Sequence, residues 1–303
     1  MHIPQASVII PTYNGKDKLM VLLQSLEKQT YTAFEVVVII DGSTDDTLQK
    51  IESKRWNLND LKLIEQKNTG RAGARNTGAH NAQSPILIFF DDDMIADPTC
   101  IEKHVEAHKT ITNVIIMGQV IEPSKKSDPE IRKYKDFLNQ SWASVLNPYA
   151  LKEIPSHLTI LSAQNMSISS TLFQTLGGFN ETLKDIEDYD LALRAKTKNI
   201  AVYYLNTAIA VHNDFFNFKK YAGRSKAYFR NRLLAARLNA ALYANDPILT
   251  HKHSRILQAV YSIFRYSFWL SVLDSFNIFT VFLPKKLRYK LYGIIITAYV
   301  HNQ

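Results

Sequence analysis

Four short apolar runs, the first three of which are each followed by polar residues and then by a helical pattern, do most to limit how this chain can fold. They cover residues 7–11, 34–40, 61–65 and 86–90. Short runs rich in β-branched and aromatic residues predict buried strands, and strands that alternate with helices predict βαβ units. The chain is therefore predicted to be an α/β protein with a mostly parallel sheet that helices cover on both faces.

Three consecutive aspartates, Asp91, Asp92 and Asp93, come directly after the fourth run. Open α/β sheets bind ligands outside the carboxyl ends of their strands. Three like charges repel one another, and a hard divalent cation held by carboxylate oxygens would balance them. An acidic surface turn is the alternative, because Asp is common in turns. The aspartates by themselves leave both interpretations open.

Further elements are predicted along the chain. Strands are expected at about 114–120, around 164–168, and at 200–204 and 208–212, and a helix is expected at 187–198. Ser43 or Thr44 is expected to cap the helix after the second strand, and the Gly177-Gly178 pair is expected to end a helix.

The charge is unevenly distributed. Residues 215–303 hold 14 lysines and arginines against Asp246 and Asp274, so this region carries +12 while the whole chain has a formal net charge of +8. Lys252, Arg255, Gln258, Ser262 and Arg265 form a polar stripe opposite an aromatic, apolar face. This pattern predicts a basic amphipathic helix.

Cys100 is the only cysteine, which excludes an intrachain disulfide and favours a reducing compartment. The first ten residues lack the pattern of a signal peptide, and the apolar stretches at 266–273, 275–284 and 291–300 are too short to span a bilayer. A cytoplasmic protein is expected, either free or peripheral on the inner face of the membrane.

Seven segments together resemble the successive signatures of family-2 inverting glycosyltransferases. They are SVIIPTYN (7–14), DGSTDDT (41–47), NTGRAGARNTGA (68–79), FFDDDM (89–94), NMSISSTLF (165–173), GGFNE (177–181) and EDYDLALR (187–194). The resemblance implies the GT-A fold, a Rossmann-like sheet flanked by helices. It predicts a catalytic domain at 1–214, with a nucleotide-sugar half at about 1–115 and an acceptor half at about 116–214. Residues 215–303 would then be a helical, basic C-terminal region.

The resemblance also implies the residues that bind the nucleotide sugar. They are Pro11, Thr12 and Tyr13 as the pocket floor, Asp41 on the nucleobase, Arg71 or Arg75 on the diphosphate, and Gln164 and Asn165 beside the donor sugar. Each has a structural alternative: strand-end packing for the first three, helix capping for Asp41, solvent exposure for either arginine, and hydrogen bonds to loop backbone for Gln164 and Asn165.

The aspartate triple matches the Asp-x-Asp motif of the family. By this match Asp93 ligates Mn²⁺ or Mg²⁺, Asp91 contacts the ribose or the metal shell, and Asp92 fills the variable place on the donor side. His212 matches a histidine that completes the metal shell in many GT-A enzymes, although a lone histidine is as often structural.

Asp188 is the expected catalytic base. Inversion at an anomeric carbon needs a carboxylate that takes the proton of the acceptor hydroxyl, on the face opposite the leaving group. Glu187 and Asp188 begin the helix predicted at 187–198 and would face the acceptor; the alternative is that both only favour the helix N-terminus.

These features predict a metal-dependent inverting transferase that uses a nucleotide-diphosphate sugar, with a UDP-sugar as the commonest donor of the family. The acceptor hydroxyl would belong to a glycan or a lipid-linked glycan. The basic region is expected either to rest on an anionic membrane surface or to serve as a helical cap or dimer interface. No nucleic-acid partner is expected. A nucleotidyltransferase that makes nucleotide sugars and a non-catalytic sugar-binding module are the alternatives; the first would need a Gly-rich loop where PTYNGK stands.

Overall fold

The computed structural model describes residues 4–158, 160–214, 216–251, 253–275 and 282–302. The chain forms two compact units. The first comprises Met1–Pro123 and Leu138–Asp214, and the second comprises Ser124–Phe137 and Phe215–Gln303. The segment Ser124–Phe137, which the sequence pattern placed in the acceptor half, thus belongs to the second unit.

The first unit is built on an eight-stranded sheet with the order β3-β2-β1-β4-β7-β6-β8-β5. Its strands are β1 (Ala6–Thr12), β2 (Phe34–Asp41), β3 (Leu61–Gln66), β4 (Ile86–Phe90), β5 (Met94–Ala96), β6 (Ile115–Ile121), β7 (Asn165–Ser169) and β8 (Val202–His212).

Helices flank this sheet in the first unit and make up the described part of the second. They are α1 (Lys16–Leu26), α2 (Thr47–Glu52), α3 (Gly70–Asn81), α4 (Cys100–Thr110), α5 (Glu130–Leu146), α6 (Ser170–Thr175), α7 (Glu187–Thr197), α8 (Phe218–Leu238), α9 (Ala240–Tyr243), α10 (Pro247–Thr250), α11 (Arg255–Phe264), α12 (Ser267–Ser275) and α13 (Lys285–His301). Short 3₁₀ turns lie at Asn147–Tyr149 and Ser156–Leu158.

The sheet is mixed: parallel pairs, which the sequence predicts and which include β6 with β8, are joined by antiparallel pairs. β1 runs parallel to β2 and β4, and β2 runs parallel to β3. β7 is antiparallel to both β4 and β6, and β5 is antiparallel to β8. An apolar run identifies a strand, but its direction depends on long-range pairing that local periodicity does not encode.

Alternate residues of each central strand pack into two separate hydrophobic cores, one on each face of the sheet. Val8 and Ile10 of β1 pack in one core, together with the leucines of α1 and with residues of α4. Ile9 of β1 packs on the opposite face, in a core that includes residues of α3, α6 and α7. This period-2 distribution explains why β1, β2 and β4 are almost continuously apolar: both of their faces are buried.

Two local predictions were wrong. The strands expected at 200–204 and 208–212 form the single strand β8, whose pairing with β6 shifts register between Gly118 and Gln119. The expected cap of α2 was also wrong, because Asp45 accepts the hydrogen bonds from the backbone N–H (3.2 Å) and hydroxyl of Thr47. The predicted helix stop is confirmed, since α6 ends at Thr175 and Gly177 and Gly178 both have positive φ.

The described part of the second unit is helical, as predicted. α8 packs against α12 and α13, and α11 packs against α13. Asp274 accepts hydrogen bonds from the backbone N–H groups of Phe218 (2.6 Å) and Lys219 (3.1 Å) at the start of α8. Asp246 caps α10 in the same way and pairs with Arg232 at 3.0 Å. Asp246 and Asp274, the two acids of residues 215–303, therefore both hold helix starts.

α11 presents apolar side chains to solvent. Ile256 is 80% exposed and Ile263, two turns further on, is 57% exposed. Lys252, the first residue of the predicted polar stripe, lies outside the described residues, as does most of the apolar stretch 275–284. Among the described helices none is by itself long and apolar enough for a membrane span; α11 and α12, bent by 65° at their junction, reach the required length and hydropathy only as a pair.

Gly78 of α3 allows that helix to lie close to β1. A Cβ built at this position would meet Cγ2 of the buried Ile9 at 2.4 Å. We expect Gly78→Ala to lower the free energy of unfolding by about 1–3 kcal/mol, because the core cannot take in an extra methyl group without shifting. Urea unfolding measures the change.

Gly223→Ala in α8 is the matched control, because a Cβ there meets nothing within 4 Å. It should leave stability unchanged or raise it by up to about 1 kcal/mol, the gain in helix propensity. A Gly78→Ala protein as stable as the wild type would contradict the close packing of α3 on β1.

Candidate active site

The carboxyl ends of β1, β2 and β4 meet at one edge of the sheet, since these strands run parallel. Thr12 at the end of β1 donates a hydrogen bond to Asp92 Oδ2 at 2.6 Å. Asn14 has φ +51° and accepts a hydrogen bond from the Thr44 backbone N–H at 2.7 Å, which ties the β1 loop to the β2 loop. Pro11 is buried and Tyr13 is 54% exposed beside them. The predicted pocket floor thus lies at the expected edge.

Asp41 ends β2 with a buried carboxylate that organises the next loop. Its Oδ1 accepts hydrogen bonds from Gln66 Nε2 (2.7 Å) and the Thr69 backbone N–H (2.8 Å), and its Oδ2 accepts one from the Gly70 N–H (2.9 Å). Asp41 thus holds the start of α3, and not the start of α2, the helix that the capping alternative concerned. A carboxylate offers about four acceptor positions, so capping does not exclude a nucleobase contact, which stays a prediction.

The three aspartates of the triple have three different environments. Asp91 forms an ion pair with Arg75, Asp92 accepts the hydrogen bond from Thr12, and Asp93 lies near Lys18 and His212. Burial raises the pKa of Asp92 to about 7, the hydrogen bond from Thr12 opposes this rise, and the charges of Asp93 and Asp91 add to it. The fold thus limits the repulsion by giving each carboxyl its own partner.

Asp93, His212 and Asp214 form a cluster whose ligand atoms all lie within 4.8 Å of one another. His212 Nε2 lies 3.4 Å from Asp93 Oδ1, and His212 Nδ1 lies 2.7 Å from Glu122 Oε1. A carboxylate on one ring nitrogen orients the other nitrogen toward a metal, as around many metal-ligating histidines. Two carboxylates and an imidazole form a donor set that Mn²⁺ accepts, so the residues fit a divalent cation.

The electrostatic surroundings of His212 favour its charged form. Burial lowers the pKa of His212, but the hydrogen bonds and charges of Asp93 and Glu122 outweigh this effect and raise the pKa to about 9. A cation bound to Nε2 needs the neutral ring and would displace this proton. The site thus holds positive charge among its acids even without a metal ion.

Arg75 lies in the interior instead of at an open diphosphate site. Its side chain is 2% exposed and forms ion pairs with Asp91 and with Glu187. This placement corrects the alternative of a solvated Arg75 and favours a bridging role over the predicted diphosphate contact. Arg71, one turn earlier on α3, is 33% exposed and pairs with Asp185. Its diphosphate role stays a prediction.

Asp188 lies in the first turn of α7 and is half-buried. Its Oδ1 accepts a hydrogen bond from the Tyr189 N–H (2.8 Å), and its Oδ2 accepts one from the Ala163 N–H (3.3 Å). Burial raises the pKa of Asp188 to about 6, the charge of Glu187 adds to the rise, and Arg75 opposes it. Such a carboxyl is ionised at neutral pH and is a stronger base than an ordinary aspartate.

The backbone is strained directly before this pair of acids. Ile186 has φ +65°, in the left-handed region that β-branched residues rarely adopt. Strain of this kind persists only where the surrounding structure imposes it, and it concentrates at functional sites. Here it sets the direction in which α7 begins, and with it the placement of Glu187 and Asp188.

Asn165 does not border an open site. It is completely buried at the start of β7, and its Nδ2 donates hydrogen bonds to the carbonyl oxygens of Gln119 (3.1 Å) and Ala208 (2.8 Å). Its Oδ1 contacts His104 Nε2 at 2.9 Å. The structure thus favours the alternative of hydrogen bonds to backbone and corrects the donor-sugar assignment. Gln164 is half-buried in the preceding turn, and its sugar contact stays a prediction.

Sequence reasoning missed three residues at the candidate cation site, namely Lys18, Glu122 and Asp214. Lys18 Nζ lies 3.4 Å from Asp93 and 3.2 Å from Asp214, and Glu122 contacts His212. Asp214 stands two residues after His212, so a search for carboxylates near the expected ligands would have found it. Lys18 and Glu122 have no such local signal, because only the packing of α1 and the end of β6 brings them here.

The arrangement combines a cluster that could hold a cation with a carboxyl suited to accept a proton. Arg75 links the two, since it pairs both with Asp91 beside the cluster and with Glu187 beside Asp188. Such a pair of functions suits the displacement of a charged leaving group by a hydroxyl.

The family model for Glycosyl transferase family 2 matches residues 7–177, more than half of the chain. The uncharacterized glycosyltransferase YfnE of Bacillus subtilis (strain 168) is 40% identical over 115 residues, which are 38% of this chain and 29% of YfnE. The chain spans 29%, 60% and 28% of the lengths of three curated relatives that it matches.

Solved structures of glycosyltransferases share the fold. The mannosyltransferase PcManGT from Pyrobaculum calidifontis, in complex with GDP-Man and Mn²⁺, has a TM-score of 0.66 and 18% identity, and the match covers 99% of this chain and 87% of that one. TarS 1–349 of S. aureus, in complex with UDP, has a TM-score of 0.55 and 21% identity, with 98% and 89% covered. These matches confirm the predicted GT-A type of α/β fold. The family model, which matches more than half of the chain, establishes that the chain belongs to glycosyl transferase family 2.

Proposed function

We propose that this chain is a metal-dependent inverting glycosyltransferase that moves a sugar from a nucleotide-diphosphate sugar to an acceptor hydroxyl. The observation that carries the proposal is the bridge made by Arg75, which holds Asp91 of the aspartate triple and Glu187, the neighbour of Asp188, on one buried guanidinium. The two ion pairs thereby hold the donor-side acids and the expected base in a fixed spatial relation within the first unit.

A nucleotide sugar is the donor that the comparisons support. PcManGT was solved with GDP-Man and Mn²⁺, and TarS was solved with UDP and with UDP-GlcNAc. We favour a UDP-sugar, as the sequence resemblance does. Because a bound ligand stabilises the folded state by mass action, a thermal-shift screen of UDP- and GDP-sugars would identify the donor.

The Asp93, His212 and Asp214 side chains would hold the cation, with Asp91 beside them. When bound, Mn²⁺ or Mg²⁺ supplies positive charge to the diphosphate leaving group. Thr12 holds Asp92 through its 2.6 Å hydrogen bond, and Glu122 holds the His212 ring. These contacts keep the ligand His212, and Asp92 next to the ligand Asp93, in place before a substrate arrives.

Asp188 would take the proton of the acceptor hydroxyl. As the acceptor oxygen forms its bond to the anomeric carbon, the bond from that carbon to the diphosphate breaks, and the proton passes to an oxygen of Asp188. The N–H groups of Ala163 and Tyr189 orient the carboxylate for this task. One displacement of this kind inverts the configuration of the anomeric carbon.

We expect UDP to bind with metal dependence. Isothermal titration should show UDP affinity in Mn²⁺ at least about tenfold higher than in EDTA, and Asp93→Ala should remove most of this gain because it deletes a metal ligand. Asp17→Ala, which changes an exposed carboxylate of α1 that pairs with Lys50 of α2, should behave as the wild type. Equal UDP binding in EDTA and Mn²⁺ would overturn the metal role.

Asp188→Asn should keep donor binding and lower kcat by about 10²–10⁴-fold, the usual contribution of a general base. Glu181→Gln, which changes an exposed carboxylate that Asn76 contacts, is the control and should keep the wild-type rate. Turnover of Asp188→Asn close to that of the wild type would remove Asp188 as the base.

The pH profile gives a second readout of Asp188. With its pKa near 6, wild-type kcat/KM should rise through that pH and reach a plateau above it, with about a tenfold difference between pH 5 and pH 7. The effect on stability has the opposite sign. The folded-state pKa lies above the unfolded value near 4, so the stabilisation from this group is present at low pH and is lost as the pH rises through 6. Asp188→Asn should therefore be at least as stable as the wild type at pH 8.

We further propose that the second unit binds anionic membrane surfaces, which would make a lipid-linked glycan a natural acceptor. Residues 215–303 carry +12, and Ile256, Ile263 and Phe268 are 57–80% exposed. Lysine and arginine gain about 1 kcal/mol each beside an anionic leaflet, and exposed apolar side chains can enter the interface. The helical-cap alternative does not need this exposure, and a dimer interface would not need the accompanying excess of positive charge.

Co-sedimentation with vesicles tests the proposal. The protein should bind vesicles containing phosphatidylglycerol and not vesicles of phosphatidylcholine alone. Ile263→Asp should weaken binding about tenfold or more, because a buried isoleucine contributes roughly 1.5–3 kcal/mol. Ser262→Asp adds the same charge at an exposed neighbouring position on the polar stripe and should weaken binding less. Indifference to anionic lipid, or equal effects of the two substitutions, would refute apolar insertion.

A further inference from the structure

Lys18 places its ammonium group against two of the three side chains that would hold the cation. Its Nζ lies 3.4 Å from Asp93 Oδ2 and 3.2 Å from Asp214 Oδ1. Asp93 turns its other oxygen, Oδ1, toward His212 at 3.4 Å. The lysine therefore spans the two carboxylates on the side that His212 leaves open.

The start of α1 brings Lys18 to this position. Leu19 and Leu22, which follow on the same helix, are completely buried in the core that also contains Met94 of β5. The helix is thus held by its apolar face, and Lys18 projects from the adjoining face. The two carboxylate side chains are 10% and 8% exposed, whereas the Lys18 side chain is 41% exposed. The acids are fixed in place, and the lysine has room to move.

A lysine ammonium and a divalent cation cannot both occupy this place without cost. Like charges a few ångströms apart repel strongly in a partly buried site, and each carboxylate oxygen that bonds to Lys18 is less available as a metal ligand. Lysine carries its charge on a flexible stem with three donors, so it can change partners when another anion is near. A diphosphate would provide such an anion.

We infer that Lys18 is a built-in counter-cation that pairs with Asp93 and Asp214 until the metal arrives, and that it makes metal binding depend on the nucleotide diphosphate. Metal alone must displace Lys18 from both acids and leave it beside a divalent charge. Metal with a diphosphate gives the lysine phosphate oxygens as new partners. Lys18 thereby couples the binding of the two ligands, and by linkage the coupling acts equally on both. The inference rests on the metal role proposed above.

Titration of Mn²⁺ alone tests the inference, followed by calorimetry or by the electron paramagnetic resonance signal of free Mn²⁺. Lys18→Met should bind Mn²⁺ at least about tenfold more tightly than the wild type, because the competing charge is gone. The factor by which saturating UDP or GDP improves Mn²⁺ affinity should shrink to a similar extent. Lys18→Arg keeps the charge and should stay closer to the wild type than Lys18→Met does.

Lys16→Met is the matched control. Lys16 lies two residues before Lys18 on the same helix, its side chain is 37% exposed, and it pairs with Asp46 at 2.5 Å instead of with the Asp93, His212 and Asp214 cluster. It should leave Mn²⁺ affinity unchanged. Unchanged or weaker Mn²⁺ binding by Lys18→Met, in a protein whose Asp93→Ala variant loses binding, would overturn this inference alone. If the wild type binds no Mn²⁺ with or without nucleotide, the metal role and this inference fail together.

Discussion

The buried guanidinium of Arg75 is the interaction on which the rest of the candidate site depends. It comes from α3, and it pairs with Asp91 after β4 and with Glu187 at the start of α7, segments almost a hundred residues apart in sequence. Removing one partner of a buried ion pair leaves an uncompensated charge, which costs more than the pair itself contributes. Arg75 therefore ties α3, the end of β4 and the start of α7 together, because each charge would be destabilising without its partner. The geometry of the site follows from that constraint.

The same principle accounts for the crowding of acids at this edge of the sheet. Asp91 has Arg75, Asp92 has the Thr12 hydroxyl, and Asp93 has Lys18 and His212. Asp41 is compensated by backbone N–H groups at the start of α3. Each carboxyl is stabilised by a different set of partners, so a cluster of acids that would otherwise repel one another can persist.

Much of this could be predicted from local pattern. Apolar residues recur at short, regular spacings in the strands and helices of the first unit, and this periodicity located β1 to β4. The residues that end those strands were therefore expected at one edge of the sheet. Residue roles were harder to predict. Arg75 and Asn165 belong to motif segments, yet both side chains point into the interior, where they serve Asp91, Glu187 and backbone carbonyl groups. Motif membership does not say which way a side chain points; packing does.

The sequence by itself determined the α/β class, the carboxyl-rich strand ends, the family and the helical, basic character of the C-terminal region. These properties depend on the residue types of short segments, on the order of those segments along the chain and on charge summed over a region, all of which the sequence states directly. Tertiary structure alone decided the antiparallel insertion of β7, the left-handed backbone at Ile186, and the meeting of Lys18 with Asp93 and Asp214 and of Glu122 with His212. The ion pairs of Lys18 and Glu122 join residues about 75 to 196 positions apart. Local periodicity carries no record of such pairings, because they are chosen by burial and charge compensation in the folded chain.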